Sequence, residues 1–301
     1  MEPKPALSLA AMRGKRRAAL EMAQTIEREG FAGIYCPSFG DGLGLCTAIA
    51  LVTKNIPFGT AIANIYTRHP HDYALTVTML HELAPGRFRF GIGVSHGPVL
   101  QRLGIQPGKP VADVERFVGA LREGAERWGE LPPIVLASLR PPMIRLAARI
   151  ASGAIWANAC RSHMRQSLTY LGERATDPDF FVGNMIPTCI DEDPAAAAQV
   201  LRKTLVGYVM LPNYQRYWME AGYVEEMQAI QKALAAREYD RVPALMSDRW
   251  LRDCTLFGSP AEVREGVEAW RAAGVKTPIL VPSSTRGGQF QALEEVIAAF
   301  R

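Results

Sequence analysis

Short, almost wholly apolar segments alternate along the chain with longer segments whose apolar residues recur at helical spacing. The apolar segments are nearly continuous, which is typical of parallel strands covered on both faces. Some helical segments carry boundary signals, such as Pro70 in a first turn and Gly86 past an end. The pattern predicts strands at 6–12, 32–36, 57–66, 87–95, 132–138, 153–159, 179–187 and 276–284, and helices at 15–31, 70–86, 113–128, 142–151, 163–171 and 289–300.

Eight predicted strands, interspersed with helical segments, predict an α/β fold, a single (β/α)8 TIM barrel. The stretch between the seventh and eighth predicted strands, at about 188–275, is long and contains several helical segments. We therefore expect residues 1–301 to form one barrel, with a helical insertion between strands 7 and 8 on the side of the active site. A separate helical subdomain is the alternative interpretation of that stretch.

The composition is that of an ordinary globular protein: 48% of the 301 residues are hydrophobic, 21% are charged, and the net charge is +4. Because the basic residues are scattered, we expect neither a nucleic-acid partner nor a membrane partner. The five cysteines include no C-x-x-C pair, and no signal-peptide pattern is present. These features favour reduced thiols, a cytoplasmic protein and a small-molecule substrate.

In a (β/α)8 barrel the functional site lies at the carboxyl ends of the strands, so the residues after each predicted strand are the candidates. These positions are polar and include Arg140, Arg161 and Arg286, but they hold few carboxylates or cysteines. The pattern favours an anionic ligand that carries a phosphate. It disfavours a metal-dependent hydrolase, a two-carboxylate glycosidase and any metal site.

The segment GIGVSHG, at 91–97, could be taken for a dinucleotide-binding glycine loop, but its spacing is not G-x-G-x-x-G. The two glycines, Gly91 and Gly93, instead indicate a close approach of the backbone, either inside the barrel or to a flat ligand. His96, at the strand end, is a candidate for proton transfer, and a loop histidine with a satisfied hydrogen bond is the alternative. For His69 and His71, which flank Pro70 at a helix start, capping or packing is the favoured interpretation.

Three segments together resemble the luciferase-like flavin and deazaflavin oxidoreductase superfamily: FGTAIANIYTRHP, TMLHELAPGRFRFGIGVSHGP and PPIVLASLRPPMIRLAARIASGAIW. The later segment LFGSPAEVREGVEAWRAAGV is also similar to the family's last helix before strand eight. The form NIYTRHP most resembles the branch that uses the deazaflavin coenzyme F420 and includes methylenetetrahydromethanopterin reductases. The resemblance implies an oxidoreductase that transfers a hydride between coenzyme F420 and an organic substrate.

Site residues follow from the resemblance position by position. It implies a cis peptide bond at Ala61–Ile62 that supports the cofactor ring, and a cofactor-facing rim from Asn64 to His69. His96 would be the catalytic proton-transfer residue, and Arg140 would hold the phosphate. The cofactor-binding residues implied in full are Ala61, Ile62, Asn64, Val94, Ser95, His96, Ala137, Ser138, Leu139, Arg140, Ala157 and Asn158.

The chain also departs from the family. Where the sugar-phosphate dehydrogenases of the deazaflavin branch carry an Asp-His pair, this sequence has Ser38-Phe39, and their acid after strand four is replaced by His96. Glucose-6-phosphate chemistry is therefore not expected. Two other functions stay open: a flavin mononucleotide (FMN)-dependent monooxygenase that uses O₂ and a partner flavin reductase, and a non-catalytic flavin-binding barrel.

The resemblance implies a homodimer, because the family commonly forms dimers. The insertion contains several aromatic residues that either line a substrate pocket or pack its helices together. These residues are Tyr208, Tyr214, Tyr217, Trp218 and Tyr223.

Overall fold

A computed structural model describes residues 3–38 and 40–301. Met1, Glu2 and Phe39 lie outside the described residues, so the Ser38-Phe39 position is described only at its serine. The chain forms two compact units. The first unit comprises Met1–Trp156 and Thr169–Gly183, and the second comprises Ala157–Leu168 and Asn184–Arg301.

The first unit alternates strands and helices in the predicted order, and its strands pair in parallel. β7 ends one residue into the second unit, and the first three residues of the following strand, 181–183, belong to the first unit. The strands are β1 (Ala6–Ser8), β2 (Ile34–Cys36), β3 (Phe58–Thr60), β4 (Ala63–Asn64), β5 (Phe88–Gly93), β6 (Ile134–Ala137) and β7 (Gly153–Ala157), and the helices are α1 (Arg16–Arg28), α2 (Gly42–Val52), α3 (Pro70–Leu83), α4 (Gly97–Arg102), α5 (Pro110–Ala125) and α6 (Pro141–Ile150).

The core of the first unit follows from the apolar character of its strands. The side chains of Ile34, Phe58 and Phe88 are fully buried, and Phe58 lies in register with both Ile34 and Phe88 on its two neighbouring strands. The rings of Phe58 and Phe88 lie 5.5 Å apart, within the range at which aromatic rings attract each other. Strands that are buried on both faces read as continuous apolar runs, which is why the sequence located them.

The third predicted strand is divided in the structure into β3 and β4. The peptide bond between Ala61 and Ile62, which separates the two strands, is cis, as the resemblance implies. The amide of Ala61 donates to the carbonyl of Cys36 at 2.8 Å, so β3 continues to contact β2 at this point. Beyond the break, Asn64 pairs in register with Gly93 of β5.

The pattern of apolar residues missed two helices of the first unit. α2 is apolar around its whole circumference and therefore lacks the polar face that marks a surface helix. Asp41 caps it by accepting a hydrogen bond from the amide of Gly44 at 2.9 Å. α4 has six residues and begins at Gly97, the last residue of the GIGVSHG segment, where the sequence predicted no helix.

The second unit contains α7 (Arg161–Thr169) up to Leu168, and β8 (Phe181–Ile190) from Asn184 onward. The predicted insertion is helical over most of its length, but it also contains a strand, β9, that pairs in parallel with β8 at Thr188 and Leu256. The prediction of a purely helical segment was therefore incomplete. The remaining elements are α8 (Pro194–Val209), α9 (Pro212–Glu220), α10 (Val224–Ala235), α11 (Asp248–Cys254), β9 (Leu256–Gly258), α12 (Pro260–Ala272), β10 (Thr277–Ser283) and α13 (Gln289–Ala299).

The repetition of parallel strand and helix through the chain is that of a (β/α)8 barrel, as the sequence predicted. Within residues 3–38 and 40–301, no helix combines the length and apolarity that a membrane-spanning segment needs.

Candidate functional site at the carboxyl ends of the strands

Three apolar positions come together in the first unit, one immediately before β4 and the others at the ends of β5 and β6. A Cβ atom added to Gly93 would lie 2.8 Å from the Cβ of Ala137 and 3.2 Å from Cγ1 of Ile62. Ile62 and Ala137 therefore approach each other across Gly93 because that position has no side chain. Both are half-buried. We call the surface formed by Ile62, Gly93 and Ala137 the apolar platform.

A close backbone contact explains why β5 also has a glycine at position 91, two residues before Gly93. A Cβ atom at Gly91 would lie 2.0 Å from the carbonyl oxygen of Thr60, far inside the distance that any side chain tolerates. The hydroxyl of Thr60 also donates to the carbonyl of Gly91 at 2.6 Å. The sequence offered two reasons for these glycines, and at Gly91 the close approach is inside the protein.

The polar cluster after β4 is built around Asn64, which is 6% exposed. Its side-chain oxygen accepts from the amide of Tyr66 at 3.0 Å. Its backbone carbonyl accepts from the hydroxyls of Tyr73, at 2.8 Å, and Thr67, at 2.9 Å. Asn64 thus fixes the turn between β4 and α3, and its side-chain oxygen is already engaged.

Two other residues of this rim, Arg68 and His69, lie immediately before the start of α3. His69 caps the helix, because its Nδ1 accepts from the amide of His71 at 3.2 Å. This confirms the capping role predicted for His69. Arg68 forms an exposed ion pair with Asp41, with 3.6 Å between the charged atoms, and its guanidinium lies 5.8 Å from the ring of Tyr73.

His96 lies in the turn after β5, next to the end of the strand that contributes Gly93 to the apolar platform. Ser95 has a φ of 60°, a left-handed conformation that is uncommon for a residue other than glycine. Val94, Ser95 and His96 are all half-buried. Burial lowers the pKa of His96 below its usual value, so the neutral imidazole is favoured near pH 7.

The turn after β6 contains Arg140, the cation assigned to a phosphate. The hydroxyl of Ser138 donates to the carbonyl of Leu136 at 3.1 Å and its amide to that of Ile155 at 2.8 Å, so both donors are used within the protein. Leu139 and Arg140 are half-buried. Because α6 begins with two prolines directly after Arg140, its first turn lacks two of the amide donors that hold an anion at a helix start.

The second unit contains the last two predicted cofactor-binding residues, Ala157, which is half-buried, and Asn158. Asn158 has a φ of 54° and accepts at its carbonyl from the indole nitrogen of Trp218 at 3.1 Å. The side chain of Asn158 lies beside the hydroxyls of Tyr208 and Tyr214. Its Nδ2 is buried and has no hydrogen-bond partner among the described residues.

The aromatic residues of the insertion pack within the second unit. Trp218 is fully buried and meets Trp250 edge to face, with 4.9 Å between ring centroids. The hydroxyl of Tyr217 accepts from the amide of Cys160 at 3.0 Å. Tyr217 and Trp218 therefore pack against other residues of the second unit, and a substrate pocket lined by the aromatic residues stays a prediction.

Buried carboxylates were missed by the sequence analysis. Asp113 is 6% exposed, accepts from the hydroxyl of Tyr66 at 2.6 Å and forms an ion pair with Arg116. In the second unit, Asp253 accepts from the amide of Ser162 at 2.9 Å. Asp113 had one signal in the sequence, its position in a helical first turn three residues after Pro110. Across the described ranges, 3–38 and 40–301, no group of three or more His, Cys, Asp or Glu side chains could hold a metal ion.

Residues 4–277 match the luciferase-like monooxygenase family, and the chain belongs to this family of enzymes. It is similar to a putative coenzyme F420-dependent oxidoreductase of Mycobacterium tuberculosis, with 22% identity over an alignment that covers 77% of this chain and 80% of the relative. It is also similar to a 5,10-methylenetetrahydromethanopterin reductase of Archaeoglobus fulgidus, with 22% identity over 77% of this chain and 78% of the relative.

Among solved structures, the fold is similar to that of the coenzyme F420-dependent tetrahydromethanopterin reductase of Methanopyrus kandleri. The TM-score is 0.78 and the sequence identity 17%, with 99% of this chain and 100% of that chain covered. This likeness confirms the (β/α)8 barrel.

Proposed function

We propose that this enzyme transfers a hydride between coenzyme F420 and a small organic substrate. The observation that carries the proposal is the apolar platform formed by Ile62, before β4, and by the ends of β5 and β6. The similarity to F420-dependent relatives supports this choice of cofactor over FMN. When bound, a deazaflavin supplies a ring carbon that accepts or donates a hydride, while the protein supplies binding, orientation and shielding.

The residues of the first unit fit such a cofactor. Gly93 has no Cβ, so Ile62 and Ala137 present a continuous apolar surface of the kind that a planar ring needs. Arg140 offers a cation for a phosphate, and the prolines that follow it make the side chain more important than the helix amides.

We assign proton transfer to His96. Its imidazole lies at the end of β5, three residues after the platform's Gly93, and burial lowers its pKa. A neutral imidazole accepts a proton at one nitrogen and donates from the other, so it can serve a reaction that creates or consumes a hydroxyl or an amine. His96 is the group we expect to exchange that proton.

The test is a paired titration of the purified protein with coenzyme F420 and with FMN, followed by fluorescence at fixed salt. Binding of F420 with little binding of FMN supports the proposal. Binding of FMN alone would overturn it in favour of an O₂-dependent monooxygenase with a partner flavin reductase. If neither F420 nor FMN binds, the cofactor assignment is wrong and the protein is a barrel that does not bind a flavin.

The variant Arg140→Gln tests the phosphate assignment in the same titration. Loss of a charge-assisted contact to a phosphate weakens binding by about tenfold. Arg149→Gln is the matched control, because Arg149 is an exposed arginine that pairs with Glu115. Equal cofactor affinity in the Arg140→Gln variant and the control would remove Arg140 from the site.

We further propose that residues 1–301 act as one barrel domain in the cytoplasm and that the protein is a homodimer. The family match crosses both compact units, which supports a single functional domain. The side chains of Leu75, Met79 and Leu83 form an exposed apolar stripe at four-residue spacing along α3. We propose this stripe as part of the contact between two copies.

A further inference from the structure

A cavity of about 370 Å³ lies in the first unit beside the end of β4. This volume falls within the range of small-molecule sites in proteins. The cavity adjoins the apolar platform, because Ile65 lines it and donates its amide to the carbonyl of Gly93 at 3.1 Å. Its lining combines apolar side chains with a compact polar group formed by Tyr66, Asp113 and Arg116.

The carboxylate of Asp113 organises the polar group. One oxygen accepts from the hydroxyl of Tyr66 at 2.6 Å, and the other pairs with Arg116. The loop closes over this carboxylate at Gly108, where a Cβ atom would lie 2.7 Å from Oδ1. The Tyr66 hydroxyl is the donor in its contact with Oδ2, so the phenol proton points to the carboxylate.

This arrangement defines what Tyr66 can recognise. Burial, followed by the hydrogen bond to Asp113, raises the pKa of Tyr66, so the phenol stays protonated. With its proton committed to Asp113, the phenol oxygen presents lone pairs and accepts from a ligand donor. A hydroxyl is such a donor, whereas a ketone or a hydrocarbon is not.

Arg116 supplies a positive charge next to this acceptor. Its side chain is 74% exposed, and its contact with Asp113 uses one guanidinium nitrogen, which leaves further N–H groups for an anion. One carboxylate bridges Tyr66 and Arg116, so the donor and the anion of a ligand must be near neighbours. Ile65, Phe117 and Ala120 provide the apolar wall.

We propose that this cavity binds a small hydroxy acid. The hydroxyl of the ligand donates to the phenol oxygen of Tyr66, its carboxylate pairs with Arg116, and its hydrocarbon body packs against Ile65 and Phe117. That this hydroxy acid is the substrate of the enzyme rests on the proposed function. Binding of the hydroxy acid does not, because none of its contacts involves the apolar platform or Arg140.

The experiment is calorimetric titration of the cofactor-free protein with three ligands of one carbon skeleton: α-hydroxyisocaproate, α-ketoisocaproate and isocaproate. The hydroxy acid should bind at least about fivefold more tightly than the other two, the value of one hydrogen bond. Tyr66→Phe should remove this difference. Arg116→Gln should weaken all three ligands about equally, and Arg149→Gln, outside the cavity, should change none.

Two outcomes overturn the inference: equal affinity of the wild-type protein for the hydroxy acid and isocaproate, or no binding of any of the three. Thermal unfolding of each variant shows whether it is folded, and Arg116→Gln tests the site at an exposed position if Tyr66→Phe is unstable. Failure of the F420 titration with retained hydroxy-acid binding would overturn the proposed function and leave the site. The converse result would overturn the site and leave the function.

Discussion

The contact across Gly93 makes the substitution Gly93→Ala a strong test of the apolar platform. The new Cβ would lie 2.8 Å from the Cβ of Ala137, about 1 Å closer than two carbon atoms tolerate without repulsion. Overpacking of this kind costs about 1–3 kcal/mol. The loss of unfolded-state freedom on replacing glycine returns about 0.4–1 kcal/mol. We expect a net loss of about 1–2 kcal/mol in the free energy of unfolding.

The second substitution, Ala137→Gly, should interact with the first. On its own it removes a methyl group and adds backbone freedom, which costs about 1–1.5 kcal/mol. In the double variant the methyl group has moved from position 137 to position 93, so the repulsion between the two Cβ atoms is gone. The double variant should therefore lose only about 1 kcal/mol, well below the sum of the single losses.

The assay is urea unfolding, followed by tryptophan fluorescence and by circular dichroism because the chain has two compact units. Gly119→Ala is the control, since a Cβ atom there has no neighbour within 4 Å and the residue lies inside α5. It should stabilise the protein by about 0.5–1 kcal/mol. Strict additivity of Gly93→Ala and Ala137→Gly would refute the contact on which the platform depends.

Three further predictions concern other parts of the chain. Burial lowers the pKa of His96, so the unfolded chain binds more protons at this residue than the folded protein does. Acidification below about pH 6.5 should therefore destabilise the wild type relative to His96→Gln. Urea midpoints measured across pH test this, and a difference between the two midpoints that does not change with pH would contradict it. The sulfurs of Cys160 and Cys254 lie 3.2 Å apart, and burial raises the pKa of both thiols. Ellman's reagent should therefore label the two thiols in guanidinium and not in the native protein. Labelling of either thiol in the native protein would disprove their protection. Met79→Glu places a charge in the exposed apolar stripe of α3 and should convert the dimer to a monomer in sedimentation equilibrium, whereas Glu82→Gln should not. A monomeric wild-type protein would contradict the proposed dimer.

How far the sequence predicted this fold depended on how each element buries its surface. β3 and β5 were found because strands covered on both faces are continuous apolar runs. α2 was missed because it is apolar all round, and a helix without a polar face has no period to detect. β9 was missed because three residues between two helices carry too little pattern, and its pairing with β8 is a long-range contact.

Some features of the candidate site could likewise be predicted from the sequence, and others could not. The family resemblance implied the cis bond at Ala61–Ile62, and the position of His69 before Pro70 favoured capping or packing. Asp113 could not be recognised as a buried carboxylate, because its partner Tyr66 is 47 residues away and burial of an acid is decided by such partners. The engagement of Ser138 within the protein was equally hidden, since its acceptor and the acceptor of its amide are backbone carbonyls.

The hydrogen bonds that tie α9 to the chain around Asn158 have a consequence for the order of folding. Tyr217 bonds the amide of Cys160 across 57 residues, and Trp218 bonds the carbonyl of Asn158 across 60. Contacts of such sequence separation form late, because closing the intervening loop costs entropy before any contact compensates for it. The turn after β7 therefore cannot reach its final conformation during synthesis until α9 has left the ribosome. Protection of the Cys160 amide against hydrogen exchange should mark that event.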